Sequence, residues 1–254
     1  MRHPPVSAPP MVAVAHGSRD PRASATVAGL LGAVRALRPG VPVHASFLDH
    51  APPAPGRVLD GLARGGAGEA VVLPLLLTAA YHSKTDIPGV LARVRNRHPR
   101  LGLRTAATLG PHALLMGALE RRLAEAGVEP GDPGTAVVLV AAGSSDASAN
   151  ATIARLAREW RARGWRGVVP AFASASRPSP AEAVAALRDA GVPRVAVASY
   201  FLAPGHFADR VRAESLAAGA AAVSPVLGAA PEVAELVVRR YDEALAVSRE
   251  AAAV

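Results

Sequence analysis

Short apolar runs alternate with amphipathic stretches of helical length along this chain, the pattern of βα units wound around a parallel sheet. The first runs are MVAVA (11–15), VPVHASF (41–47), AVVLPLLL (70–77) and LGLRTAATL (101–109). After a Gly/Pro-rich break, VEPGDPGT (128–135), come AVVLVAA (136–142), GVVPAFA (167–173), RVAVASYFL (194–202) and AAAVSPVL (220–227). Each set predicts a four-stranded parallel sheet flanked by helices.

The two sets repeat one another at nearly constant spacing. AHGSRD (15–20) aligns with AAGSSD (141–146), SFLD (46–49) with AFAS (171–174), and VVLPLLLTAAYH (71–82) with VAVASYFLAPGH (195–206). The expected fold is therefore α/β, two duplicated lobes with flavodoxin-type layers. A flexible tail (1–10) precedes an N-terminal lobe (11–127), a linker (128–135) and a C-terminal lobe (136–250).

In open α/β sheets ligands bind beyond the carboxyl ends of the strands, so the segments after strand ends should carry the chemistry. In the first lobe these are HGSRD, LDH and TAAYHSKTD. His16 follows an all-apolar strand, and Gly17-Ser18 leads into a helix opened by Asp20-Pro21. Glycine permits a tight turn, and a hydroxyl beside helix N-terminal amides suits an anion. A capped turn with a space-filling histidine gives the same local pattern. His82 follows the third strand; alone it reads as a solvated loop residue, but with strands one and three adjacent it would share an edge with His16. Asp86, before Ile87-Pro88, reads as a helix cap and Asp49 stays open. His50, with His3, His44, His98 and His112, reads as surface or packing.

Composition narrows the chemistry. With no cysteine, a thiolate zinc site, a cysteine-ligated cluster and a cysteine nucleophile are all excluded, and a transition metal must rely on imidazole or carboxylate. The net charge is +8, yet Lys84 is the sole lysine and the arginines are scattered over predicted helices. Aromatic residues make up 4%, too few for base-stacking platforms, so no nucleic-acid partner is expected. The longest apolar run, Ala70 to Tyr81, is far shorter than the ~20 residues that span a bilayer, so no membrane partner is expected. The proline-rich start lacks the apolar core of a signal peptide, and a cytoplasmic location follows.

HGSRDPRA, SFLD, VVLPLLLTAAYHSKTDIP and ATLGPH together resemble the class II, ATP-independent chelatases of the sirohydrochlorin cobalto- and ferrochelatase type. The resemblance covers nearly the whole chain. It implies insertion of a divalent metal substrate, Fe2+ or Co2+, into sirohydrochlorin, with no permanently bound cofactor. The family's metal-handling and catalytic histidines fall on His16 and His82. In the second lobe Ala142 replaces the first of them and His206 occupies the second place, which implies one active centre, in the first lobe, facing the cleft between lobes. The usual glycine-rich approach to the second histidine is altered to Ala79-Ala80-Tyr81.

Metal insertion displaces pyrrole protons, so the site needs a neutral base and a weak, exchangeable ligand set; two imidazoles can supply both. The carboxylate-rich tetrapyrrole suggests contacts from Ser18, Arg19, Lys84, Ser144 and Ser145, although Arg19 and Lys84 also read as ordinary solvated charge. The expected activity is sirohydrochlorin ferrochelatase for siroheme synthesis, with cobalt insertion for cobalamin, or non-catalytic tetrapyrrole or metal carriage, as alternatives. A double-length chain should be a monomer with internal pseudo-two-fold symmetry.

Overall fold

The computed structural model describes residues 8–79 and 82–251, without the side chains of His82 and of 247–251. The first repeat runs β1 (Met11–Ala15), α1 (Pro21–Leu37), β2 (Val43–Phe47), α2 (Pro55–Arg64), β3 (Glu69–Pro74), a π-helical turn (His82–Asp86), α3 (Ile87–Arg97), β4 (Gly102–Thr105) and α4 (Ala113–Glu125). The second runs β5 (Thr135–Ala141), α5 (Ala147–Arg161), β6 (Gly167–Phe172), α6 (Pro180–Asp189), β7 (Arg194–Ser199), α7 (His206–Ala217), β8 (Ala222–Val223) and α8 (Pro231–Ala251).

Both sheets are parallel and four-stranded, with orders β2-β1-β3-β4 and β6-β5-β7-β8. Met11 lies opposite Val43 on one side and Val71 on the other, and Ala136 opposite Gly167 and Val195. Chain order reverses direction between β1 and β3, which makes their carboxyl ends the crevice of the first sheet. The central strands β1 and β5 are buried at every position, as strands covered on both faces must be. One face of the first sheet sets Val12, Val14 and Val72 against Leu59, Ile87, Leu91 and Val94 of α2 and α3. Its mirror in the second sheet sets Val138, Val140 and Val197 against Val184 and Val211 of α6 and α7.

Several strands end before the apolar runs that predict them. Leu75, Leu109 and Leu227 are buried yet lie past the last ladder residues of β3, β4 and β8. An apolar run measures burial, and the loops above the strand ends are buried too.

The loops repeat as closely as the strands. Gly17 and Gly143 have φ of 97° and 85°, and His50 and Ala175 have φ of 61° and 56°. Asp49 donates its amide to the His16 carbonyl at 2.9 Å, and Ser174 donates to Ala142 at the same distance.

Packing divides the chain into two units: one runs to Leu109 and resumes at Val233, and the other is Gly110–Glu232. The helix after each fourth strand therefore belongs to the unit built from the other repeat. In the first unit, α8 donates from Arg240 Nε to the Thr108 carbonyl at 2.9 Å and from the Tyr241 hydroxyl to Pro9 at 2.6 Å. In the second, Arg121 of α4 pairs with Glu232 at 2.7 Å and Arg122 donates to the Leu227 carbonyl at 2.8 Å.

Residues 128–135, expected as a linker, make a compact turn in which the Asp132 carboxylate accepts from Gly134 N at 2.8 Å and from Thr135 Oγ1 at 2.6 Å. Of the expected flexible tail, residues 1–7 lie outside the described residues, while Pro9 and Pro10 are tied to Tyr241 and Val71. Among the described residues no helix is long and apolar enough to cross a membrane.

Candidate functional site

The carboxyl ends of β1 and β2 bring together His16, Asp49 and His50. Ala15 is buried while His16 is exposed, so the strand ends by turning its imidazole outward. His16 Nδ1 faces the Gly17 carbonyl at 3.0 Å and must carry the proton to donate to it. The lone pair of the neutral ring is then at Nε2, the nitrogen suited to bind a metal or accept a proton.

Gly17 is required by close approach. A Cβ there would lie 1.8 Å from the Asp49 carbonyl oxygen, and its φ lies in the left-handed region. The crossing of these two backbones fixes His16 beside Asp49 and His50. The His50 amide donates to Asp49 Oδ1 at 2.8 Å, and His50 Nε2 lies 3.4 Å from Asp49 Oδ2. The rings of His16 and His50 have centroids 6.5 Å apart, inclined at 40°. His50, which the sequence assigns to surface or packing, is exposed and belongs to this cluster. The one signal that could have found it is the repeat, where Ala175 stands in its place.

Ser18 is half-buried and engaged through its hydroxyl oxygen. Its Oγ accepts from the Asp20 amide at 3.0 Å, and the Asp20 carboxylate caps α1 by accepting from Arg22 N at 2.9 Å. The Arg22 guanidinium holds the Asp20 carboxyl below the usual carboxylate range. The helix end thus carries its own anion. Arg19 is exposed beside it.

His82 opens the π-helical turn beyond β3; its side chain, with Ala80 and Tyr81 of the altered approach, lies outside the described residues. Lys84 is exposed within the turn. Asp86 occupies the cap position of α3 but makes no capping hydrogen bond, because its own φ and ψ of −69° and −49° already continue the helical turn before it. Among the described side chains, no group of three His, Cys, Asp or Glu is placed to hold a metal ion.

The equivalent place in the second unit keeps the backbone and lacks these side chains. Ala142 replaces His16, Ala175 replaces His50 and Ser174 replaces Asp49. Ser144 Oγ accepts from the Asp146 amide at 3.0 Å, repeating Ser18, and Ser145 is exposed. His206 starts α7, exposed, with its ring 5.8 Å from that of Phe207. Other histidines are structural: half-buried His44 is pushed down in pKa by burial and by Arg35, His98 Nε2 meets Asp60 at 3.0 Å, and His112 Nδ1 accepts from Leu114 N at 3.1 Å. His3 lies outside the described residues.

The CbiX family model matches residues 10–126 and again 136–244. The chain belongs to the CbiX family. Both repeats match, which agrees with the duplicated α/β architecture expected from the sequence. This CbiX-family chain is 28% identical over 200 residues to the sirohydrochlorin cobaltochelatase of Priestia megaterium, covering 76% of the chain and 63% of that relative's length. It is 29% identical over 204 residues to the sirohydrochlorin ferrochelatase of Bacillus subtilis, covering 79% of the chain and 77% of that protein. The solved structure of SirB from Bacillus subtilis with Fe3+ superposes with a TM-score of 0.83 at 27% identity, covering 94% of this chain and 96% of that one.

Proposed function

We propose that this chain is a sirohydrochlorin chelatase that inserts Fe2+ on the way to siroheme. The observation that carries the reading is its likeness to SirB with Fe3+ over almost the full length of both chains. A cytoplasmic location belongs to the same reading. Cobalt insertion is the second reading, favoured by the likeness to a cobaltochelatase. Imidazole affinity rises only gently from Fe2+ to Co2+, so the ligand type does not separate the two.

His16 and His82 are the residues assigned to metal delivery and proton acceptance. The Gly17 carbonyl fixes the His16 tautomer, so Nε2 binds the incoming ion or takes a pyrrole proton as the ion enters the macrocycle. The metal is a substrate: weak, exchangeable binding serves turnover better than a closed ligand cage. Exposed Arg19, Lys84 and Ser145 are the proposed partners of substrate carboxylates. Ser18 and Ser144 join them through their hydroxyl hydrogens, since their oxygens already accept from backbone amides.

The test is to mix the protein with sirohydrochlorin and either Fe2+ or Co2+ and follow the absorbance of the macrocycle. A rate proportional to enzyme, over many turnovers, is the expected result, and the faster metal assigns the reaction. A single stoichiometric shift would make the protein a carrier and overturn the reading.

A further inference from the structure

We infer that His50 forms with His16 a two-imidazole loading site for the divalent metal substrate, backed by the Asp49 carboxylate. The inference rests on the reading that His16 handles the metal, and adds a ligand that the sequence motifs do not mark.

Geometry is the first support. Two imidazoles sharing a first-row ion, each with a nitrogen about 2.0–2.1 Å from the metal, set their ring centroids about 5 Å apart at a tetrahedral angle. His16 and His50 stand 6.5 Å apart and both are exposed, so a modest side-chain rotation closes the difference. Their nitrogens are also assigned compatible tasks. His16 holds its proton at Nδ1 against Gly17, which puts the lone pair a metal needs on Nε2. Asp49 Oδ2 stands 3.4 Å from His50 Nε2, an ion-pair contact; the small approach that turns it into a hydrogen bond would hold the proton there and leave Nδ1 as the ligand. A carboxylate behind a ligating imidazole fixes its tautomer and raises its basicity.

Backbone geometry is the second. His50 sits at φ 61°, a region that residues other than glycine adopt infrequently and that clusters at functional positions. In this conformation its ring stands 6.5 Å from that of His16.

The internal repeat is the third and strongest support. The second unit keeps the same crossing, since a Cβ on Gly143 would lie 1.9 Å from the Ser174 carbonyl oxygen, and it keeps the left-handed residue at Ala175. On that preserved frame His16, Asp49 and His50 are replaced together by Ala142, Ser174 and Ala175. If His50 only shaped the loop, Ala175 shows that an imidazole is not needed for that. Its presence beside His16, and its absence where the counterpart of His16 is missing, ties the two rings to one task.

The experiment is Co2+ titration of the full-length protein without tetrapyrrole, read by calorimetry and by the visible absorption of the bound ion. His50→Ala should weaken Co2+ binding by about tenfold or more, and His16→Ala by a similar factor, with the double variant little worse than either, as for groups acting as a unit. His50→Asn, which tolerates the left-handed backbone, should behave like His50→Ala. Unchanged Co2+ binding in folded His50→Ala alongside a loss in His16→Ala would overturn the inference while leaving the chelatase reading intact. Full binding restored by His50→Asn would also overturn it, because asparagine supplies the loop geometry without the imidazole. Wild-type binding in both His16→Ala and His50→Ala would overturn the inference and the assignment of His16 together.

Discussion

Gly17 and Asp49 cross so closely that a Cβ on the glycine would sit 1.8 Å from the aspartate's carbonyl oxygen. Gly17→Ala therefore forces the β1 and β2 loops apart, on top of a left-handed φ that costs a non-glycine residue about 1–3 kcal/mol. Gly143→Ala meets the same obstacle at Ser174. Both variants should lower the melting temperature, but only Gly17→Ala should also abolish metal insertion, because only its loop carries His16. Equal activity in the two folded variants would count against a centre at the end of β1.

His16→Ala and His82→Ala should each reduce insertion by ~10²-fold or more while the circular dichroism stays that of the wild type, as for loss of a general base or metal ligand. His206→Ala should cost far less, since Ala142 has replaced the partner it would need. A comparable collapse in His206→Ala would show that both repeats feed one reaction.

The strand pattern was legible because burial on both faces forces unbroken apolar runs: MVAVA is β1, residue for residue. The repeat was legible for the same reason, and the position of His16 followed from it. The exchange of α4 and α8 between units was not, because an amphipathic helix shows the same apolar stripe whichever sheet it covers. Leu115, Leu119 and Leu123 say that α4 is buried and nothing about against what. Asp86 misled because Asp before Ile-Pro looks like a cap until the preceding turn proves helical. His50 was lost among the other histidines: a ligand in a loop has no periodicity to announce it, and its meaning comes from a tertiary distance.

Acid sensitivity should be visible at the start of α6. The Glu182 carboxylate accepts from the Ser179 amide at 2.7 Å and pairs with Arg177, and these contacts lower its pKa from 4.5 to about 2. A depressed folded value means that the stabilisation is complete above the unfolded value and is lost as pH falls from 4.5 toward 2. The melting-temperature gap between the wild type and Glu182→Ala should stay constant from pH 7 to 5 and narrow steadily below 4.5. A gap unchanged down to pH 3 would mean that ionisation of Glu182 is not what stabilises the cap.

With both sheets in one chain, the protein should need no second copy. Light scattering on the eluting peak should give the chain mass of 25.8 kDa, and a value near twice that would refute it.

The unit Gly110–Glu232 is continuous, whereas the unit that carries His16 resumes only at Val233. During synthesis the half that begins first is therefore the half that is finished last. A nascent chain that already contains His16, Asp49 and His50 still lacks Arg240 and Tyr241, whose side chains tie α8 to Thr108 and Pro9. Until α8 is made, the Thr108 and Pro9 carbonyls lack these partners. The proposed metal site at His16 thus lies on a unit that only α8 completes, so a product cut short before Val233 would carry these histidines on a unit without its closing helix.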